Sequence, residues 1–320
     1  MPETTDAEAP LRPRALCPGA RVALVAPGGP LEPERLETSQ RRCRRLGLKP
    51  VLFPSARGRS GFLSASDAER LADLQDAFDD PEIDAVWALR GGYGAIRIVD
   101  RLSLERQHRD PIPFIGFSDN TVFHVAHAGI GVVSFHGPHP GAEFPAATEA
   151  AFRRVLFAGH SPEPHVIEGS APVAGTLAGS IADGPLWGGN LATLASLSGS
   201  ASPLSADGRI LCLEDVGEPA YRIDRMWVQL ERAGVFRGVR GVALGRFTGS
   251  LPGEEEVVRT VLRERARELG VPVVADLPFG HMAWNVTLPI GVRARVNGDK
   301  GTLGILQRAV QSGSRRSGHH

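Results

Sequence analysis

The sequence predicts an α/β protein of two domains, with a parallel sheet in the N-terminal domain and a smaller α/β C-terminal domain. The chain has 320 residues, which suits two domains of ordinary size. In the first half, short apolar runs, glycine turns and amphipathic stretches alternate, which is typical of a parallel sheet with helices on both faces. From about residue 145 to 185 the chain becomes rich in Pro, Ala, Gly and Ser, which indicates a linker.

The N-terminal elements follow one another in this alternation. Buried strands are predicted at 21–27, 51–53, 85–89 and 114–117, and helices at 33–46, from Ser66 onwards, through 96–102 and from Asn120 to about 128. The helix that follows Ser66 is the clearest, because Ser66 and Glu69 have the spacing of a capping box.

The C-terminal elements are predicted in the same way. Strands are expected at 210–213, 239–244 and 271–275, helices at about 221–233 and 254–269, and hairpin strands between 290 and 306. The resulting division has a flexible arm over 1–18, an N-terminal domain over 19–150, a linker over 151–185, a C-terminal domain over 186–308 and a disordered tail over 309–320.

Charge and cysteine content limit the possible classes of protein. The 36 basic and 36 acidic residues cancel, which argues against a nucleic-acid or membrane-surface binder. Three cysteines without a metal-binding spacing suit a reducing compartment. The N-terminus lacks the apolar core of a secretory signal, and no apolar run reaches the roughly 20 residues of a membrane span. We therefore expect a cytoplasmic protein without nucleic-acid or membrane partners.

Ser118 is the first candidate catalytic residue. It lies in Gly116-Phe117-Ser118-Asp119-Asn120, on the predicted turn between a buried strand and a helix. At such a turn the amide of Asp119 and the positive end of the helix favour a developing oxyanion. The second glycine of the G-x-S-x-G nucleophile motif is replaced by Asn120. Ordinary helix capping by Ser-Asp is the structural alternative.

The glycine-rich segment Arg90-Gly91-Gly92-Tyr93-Gly94 also follows a predicted strand. We therefore expect it at the same carboxyl edge of the sheet as Ser118, where open α/β sheets bind ligands. Its backbone amides can approach a ligand closely, as a second oxyanion donor or at a phosphate. The spacing differs from that of nucleotide-binding loops, and a tight turn with positive φ is the structural alternative.

A serine nucleophile needs a general base and an acid that orients this base. Among the ten histidines, His281 directly follows a glycine at the end of a predicted strand and loop. His136 and His139 also follow an apolar strand and are candidates to line the site. Glu214 and Asp215 end a buried strand, where an acid can face a cleft. The spacing of the His, Cys and Glu residues does not match a zinc site, so neither a metal nor a cofactor is predicted.

Five segments together resemble the LD-carboxypeptidase family, the serine peptidases that include muramoyl-tetrapeptide carboxypeptidase. They are RGGYG at 90–94, GFSD at 116–119, WGGNL at 187–191, LEDVGEPAYRIDR at 213–225 and PFGHMAWNVTLPIG at 278–291. They occur in the order of the family, and with the opening VALVAP strand the resemblance covers nearly the whole chain. It implies a flavodoxin-like N-terminal domain, a β-rich α/β C-terminal domain and a homodimer.

The resemblance also implies a Ser-His-Glu triad at the junction of the two domains. Ser118 would be the nucleophile, His281 the general base and then acid, and Glu214 the group that orients His281. The oxyanion hole would consist of the backbone amides of Gly92 and Asp119. The substrate-binding residues would be Gly91, Tyr93, Trp187 and Asn190.

The predicted function is that of a serine LD-carboxypeptidase, which hydrolyses the amide between an L-centre and a C-terminal D-amino acid. Its expected substrate is a muropeptide tetrapeptide, which loses D-Ala in peptidoglycan recycling. Arg90 and Arg222 are candidates to bind the terminal carboxylate.

Three alternatives remain open at this stage. A microcin-C-type immunity peptidase would cleave peptidyl-nucleotide amides, with Trp187 stacked on a base. An unrelated α/β-hydrolase esterase fits less well because of the incomplete nucleophile motif. A non-catalytic two-domain peptide-binding protein would have no use for a converging triad.

Overall fold

The computed structural model describes residues 9–159, 165–169 and 181–311. The strands are β1 (Arg21–Val25), β2 (Lys49–Leu52), β3 (Ala85–Ala88), β4 (Phe114–Gly116), β5 (Ser134–His136), β6 (His165–Glu168), β7 (Ile181–Asn190), β8 (Ile210–Val216), β9 (Gly241–Thr248), β10 (Val273–Val274), β11 (Leu288–Ile290), β12 (Arg293–Asn297) and β13 (Thr302–Ile305). The helices are α1 (Pro33–Arg45), α2 (Asp67–Asp79), α3 (Glu105–Arg109), α4 (Thr121–Gly129), α5 (Ala146–Leu156), α6 (Leu191–Ser196), α7 (Ala220–Arg232) and α8 (Glu255–Glu268).

The first sheet has the order β2-β1-β3-β4-β5, with these five strands parallel. This is the strand order of flavodoxin-like sheets, in which ligands bind beyond the carboxyl ends of the strands. Strand β11 joins the same sheet from near the C-terminus and pairs antiparallel with β5, Leu288 opposite His136. The last part of the chain therefore returns to the N-terminal half.

The second sheet is mixed and has the order β10-β9-β8-β7-β12-β13-β6. Strands β7 to β10 are parallel, whereas β12, β13 and β6 continue the sheet beyond β7 as antiparallel strands. The parallel part has α7 and α8 in its connections. In the antiparallel part, β12 and β13 form the hairpin predicted near the end of the chain, and β6 pairs with β13. The structure is therefore α/β in both halves, as the sequence predicts.

The two halves share a continuous apolar core. One cluster of buried side chains contains Val86 and Phe123 from the first half together with Trp187 and Leu213 from the second. At this boundary the amide of Asn190 donates to Thr121 Oγ1 at 3.0 Å, which ties the end of β7 to the start of α4. The junction is thus packed and hydrogen-bonded rather than an open hinge.

The predicted arm, linker and tail differ from the structure where it describes them. Within the predicted arm, Leu11 and Leu16 pair with Val132 and Phe157, and Leu16 is buried, because apolar residues there cover the first sheet. The predicted linker includes the end of α5, the strand β6 and the first half of β7. Gln311 of the predicted tail pairs with the 13–15 segment. Residues 1–8, 160–164, 170–180 and 312–320 lie outside the described part.

Most predicted elements are present within a few residues, with one change of type. The segment after the glycine-rich loop, predicted as a helix through 96–102, forms two short 3₁₀ turns at Ala95–Arg97 and Val99–Arg101. The predicted capping box at Ser66 and Glu69 is formed in both directions. Within the described ranges, none of the helices combines the length and the apolar character needed to cross a bilayer.

Candidate active site

Ser118 lies on the sharp turn between β4 and α4. Its φ of +64° is in the left-handed region, which side chains other than glycine rarely adopt. The turn continues as a 3₁₀ segment, Ser118–Asn120, directly into α4. The strained backbone turns the Ser118 side chain away from the buried strand, at the carboxyl edge of the first sheet.

The structure brings Ser118, His281 and Glu214 together in one hydrogen-bonded row. His281 Nδ1 lies 2.7 Å from Glu214 Oε2, and His281 Nε2 lies 3.1 Å from Ser118 Oγ. A carboxylate can only accept, so Nδ1 donates to Glu214, and Nε2 accepts from the serine hydroxyl. This tautomer is the one a general base needs.

Glu214 is completely buried at the end of β8, yet it remains ionised. Burial by itself would raise the pKa of Glu214, but interactions with the imidazoles of His136 and His281 outweigh it and lower the pKa to about 2. The carboxylate therefore carries a full charge at neutral pH, where it stabilises a proton on His281.

The His281 loop is held in place from several sides. Gly280 has a φ of +109°, and a β-carbon there would lie 2.8 Å from Glu214 Oε2, so a side chain would displace the carboxylate. The amide of Gly280 donates to Asn285 Oδ1 at 3.1 Å, and Thr248 Oγ1 donates to the carbonyl of His281 at 3.1 Å. These contacts fix the direction of the imidazole before any ligand binds.

The glycine-rich loop lies directly against the serine. A β-carbon at Gly91 would lie 2.8 Å from Ser118 Cβ and 2.9 Å from its Oγ, so the site requires glycine at this position. Gly92 has a φ of +95°. Within the described ranges, the amides of Gly92 and Asp119 donate no hydrogen bond to protein. Two free amides beside a nucleophile are what an oxyanion hole requires.

The Asp119 carboxylate has a separate, structural role. It is buried and accepts from the amide of Ala95 at 2.9 Å, which ties the serine turn to the glycine-rich loop. Burial raises the pKa of Asp119 to about 6, although hydrogen bonds from the backbone at Ala95 and Gly94 and the charge of Arg70 oppose this effect. The side chain of Asp119 thus positions the loop, while its amide faces no acceptor.

Tyr93 and Arg90 lie at the open side of this loop. Tyr93 is half exposed, and its ring lies 5.7 Å from the exposed ring of Phe62. Arg90 donates to the carbonyl of Pro30 at 2.7 Å and has no acidic partner among the described residues. Its charge also reaches the site: burial lowers the pKa of His139 to about 3, and repulsion from His281 and Arg90 adds to this effect.

Two predicted substrate-binding residues do not face a cleft. Trp187 is 1% exposed and packs in the shared core, so it cannot stack on a ligand in this conformation. Asn190 caps α6: its Oδ1 accepts from the amide of Thr193 at 3.0 Å, and its Nδ2 donates to Asp215 at 2.9 Å. Close packing explains why glycines stand between them in the WGGNL motif, because a β-carbon at Gly188 or Gly189 would overlap neighbouring atoms.

The remaining candidate residues divide between structure and site. Asp215 accepts from Asn190 and from the amide of Ala192, so it holds the start of α6 rather than His281. Sequence reasoning missed Phe117, whose ring lies 4.7 Å from the ring of His281 and 4.3 Å from that of His139. Its position directly before Ser118 in the sequence could have indicated that it lines the site.

Comparisons with known proteins find related sequences over most of the chain. Residues 22–137 match the family model of the LD-carboxypeptidase N-terminal domain, and residues 183–296 match that of the C-terminal domain. A putative carboxypeptidase of Streptomyces coelicolor is 43% identical over 312 residues, which cover 94% of this chain and 98% of the relative.

Solved structures give the same picture at the level of the fold. The muramoyltetrapeptide carboxypeptidase of Oxalobacter formigenes superposes with a TM-score of 0.78 at 29% identity, over 90% of this chain and 99% of the other. A microcin C7 self immunity protein superposes with a TM-score of 0.83 at 20% identity, over 94% of this chain and all of the other. The second likeness concerns the fold alone.

Proposed function

This chain belongs to the LD-carboxypeptidase family, and from that premise we propose that it releases D-Ala from a muropeptide tetrapeptide by a serine mechanism. The observation that carries the proposal is the continuous row from Glu214 through His281 to Ser118, at 2.7 and 3.1 Å. A protein that only captures peptides has no need for an ionised, dry carboxylate behind an imidazole and a hydroxyl.

In the proposed mechanism each group has one step. The Ser118 oxygen attacks the carbonyl before the terminal residue while its proton moves to His281 Nε2, and the amides of Gly92 and Asp119 stabilise the oxyanion. The imidazolium keeps its Nδ1 proton, which stays hydrogen-bonded to the Glu214 carboxylate. It passes the Nε2 proton to the amine of the leaving D-amino acid. A water molecule then loses a proton to Nε2 and attacks the acyl-enzyme. As the peptide acid leaves, Nε2 passes this proton to the Ser118 oxygen, which restores the hydroxyl.

A carboxypeptidase also needs a cation for the terminal carboxylate of its substrate. Arg90 directly precedes the glycine that touches Ser118, and no described acidic side chain neutralises it. Arg222 is already paired with Glu218 at 3.5 Å on the exposed side of α7. We therefore propose Arg90 for this role.

The cytoplasmic location and the homodimer remain predictions. The three cysteines are free in the described chain, which is compatible with a reducing compartment. Size-exclusion chromatography with light scattering measures the oligomeric state directly.

The test is release of D-Ala from a purified muropeptide tetrapeptide, followed by mass spectrometry. We expect release by the unmodified protein, none above background by Ser118→Ala, and full release by Ser200→Ala, which replaces an exposed serine elsewhere. Equal release by Ser118→Ala would remove the serine mechanism. Cleavage of a peptidyl-nucleotide amide instead of the tetrapeptide would favour the immunity-type alternative, and no cleavage of either would favour a binding protein.

A further inference from the structure

His136 is a buried histidine that the proposed mechanism does not use. It ends β5 in the first sheet, is 1% exposed, and has ring edges of Phe117 and Phe279 against it at centroid distances of 5.7 and 5.9 Å. Neither of its ring nitrogens has a hydrogen-bond partner among the described residues. Buried imidazole nitrogens without partners are costly, so a specific reason for this histidine is expected.

A nearby carboxylate oxygen supplies the reason. His136 Nε2 lies 3.6 Å from Glu214 Oε1, just beyond hydrogen-bond distance. Among the described residues, that oxygen also has no hydrogen-bond partner, whereas Oε2 of the same carboxylate is held by His281. An unpaired donor group and an unpaired acceptor of an ionised side chain thus face each other in a dry site.

We propose that His136, neutral and protonated on Nε2, donates to Glu214 Oε1 and is a positioning residue of the triad. A displacement of about 0.7 Å brings the two atoms to an ordinary hydrogen-bond length. The bond fixes the carboxylate plane, so that Oε2 stays on His281 Nδ1 while the proton moves between Ser118 and Nε2. The inference rests on the proposed serine mechanism and adds to it a residue from the first sheet that reaches Glu214 in the second.

The surroundings of His136 offer an acceptor near Nε2 but, among the described residues, none near Nδ1. The titratable groups that face the pair from the elements around it are His124, His139, His281 and Asp215. A cationic ring would carry a second N–H at Nδ1 with no acceptor beside it. Two of the neighbours are already kept neutral, because burial lowers the pKa of His124 and of His139. A single N–H on Nε2 therefore matches the one acceptor that faces the ring among the described residues.

The proposal predicts different effects for two substitutions. His136→Leu removes the donor, and Glu214 then loses support for its charged form, since burial raises its pKa. We expect kcat to fall about 10–100-fold with KM nearly unchanged, the range that loss of an outer hydrogen-bond partner costs metal-bound histidines. The acid limb of the kcat profile should also move to higher pH and steepen, because Glu214 takes up a proton there. His136→Gln restores a donor at the same reach and should recover most of kcat.

The experiment combines these kinetics with nitrogen NMR of histidine-labelled protein, with His127→Leu as the matched control. His127 is equally buried, but it donates to the carbonyl of Phe123 and does not contact Glu214. The ring nitrogens of His136, assigned from the signals lost in His136→Gln, should show a neutral ring protonated on Nε2.

Each outcome decides the proposal. An Nδ1-protonated or cationic ring, or a His136→Leu variant with the kcat and pH profile of His127→Leu, would overturn it. If the unmodified protein releases no D-Ala, the proposed function fails, and the NMR measurement still settles the role of His136 without any substrate.

Discussion

Replacing Glu214 by Gln tests the electrostatic part of the site, because it removes the charge and keeps the shape. The carboxylate lies 2.7 Å from His281 Nδ1 and has a pKa of about 2, so it is fully ionised at pH 7. In the variant, the amide can keep its oxygen on Nδ1, in which case only the charge is lost. Alternatively its NH₂ group faces Nδ1, which forces the imidazole proton onto Nε2 and prevents it from accepting from Ser118.

Both arrangements give a large effect on the rate. Two unit charges about 4 Å apart interact by about 4 kcal/mol at an effective dielectric constant of 20, which corresponds to about 10³ in rate. The wrong tautomer costs about 10⁴ in the serine protease case. We therefore expect kcat/KM for D-Ala release to fall by about 10³–10⁴, at an unchanged far-ultraviolet circular dichroism spectrum.

The control is Asp215→Asn, the neighbouring buried acid on the same strand. Its carboxylate holds the start of α6 and does not contact His281, so it should change thermal stability more than kcat/KM. A Glu214→Gln variant within tenfold of the unmodified protein, or an Asp215→Asn variant that loses as much activity, would refute the electrostatic argument. Adding Glu214→Gln to Ser118→Ala should cost nothing further, since the two residues act as a unit.

Three further predictions concern stability and binding. Gly280→Ala should destabilise the fold by about 1–3 kcal/mol and displace Glu214, whereas Gly61→Ala, with positive φ but open space around it, should cost less activity; urea unfolding and kcat/KM together check this. The folded pKa of Glu214 lies below its ordinary 4.5, so it contributes about 3 kcal/mol of stability that is complete above pH 4.5 and lost as the pH falls towards 2. The difference in unfolding free energy between the unmodified protein and Glu214→Gln should shrink over that window, and a constant difference would contradict the assignment. Arg90→Gln should raise KM for the free tetrapeptide at least tenfold but not for its C-terminal amide, while Arg222→Gln should change neither value; equal effects on both substrates would argue against a carboxylate contact.

The local chemistry of the sequence predicts much of this site. The apolar run before Ser118, the glycines at 91–94 and the glycine before His281 each have a local cause, and the structure brings all three segments together around Ser118. Strand and helix positions follow in the same way from periodicity and capping, as at Ser66. These signals are short-range, so they can be seen in a single sequence.

The differences from the expected positions are of another kind, since they concern contacts between distant segments. Trp187 and Asn190 stand in a glycine-rich motif that looks like a binding loop, but its glycines are required by close packing of β7 against β8 and α4. The 9–18 segment looks like a free arm, because its partners lie more than a hundred residues away. The pairing of β11 with β5 in the first sheet cannot be predicted when each segment is assigned to the domain of its neighbours in the sequence.

The same long-range contacts hold the proposed triad together without domain closure. His281 and Glu214 come from the second half of the chain and Ser118 from the first, so a hinge at the junction would break the 3.1 Å contact to the serine first. Three features oppose such a hinge: the shared apolar core, the bond between Asn190 and Thr121, and β11 in the first sheet. The approach of His136 in the first sheet to Glu214 in the second also opposes such a hinge. The proposed nucleophile, base and acid are therefore held in register by the fold itself, which is the preorganisation that electrostatic catalysis in a dry site requires.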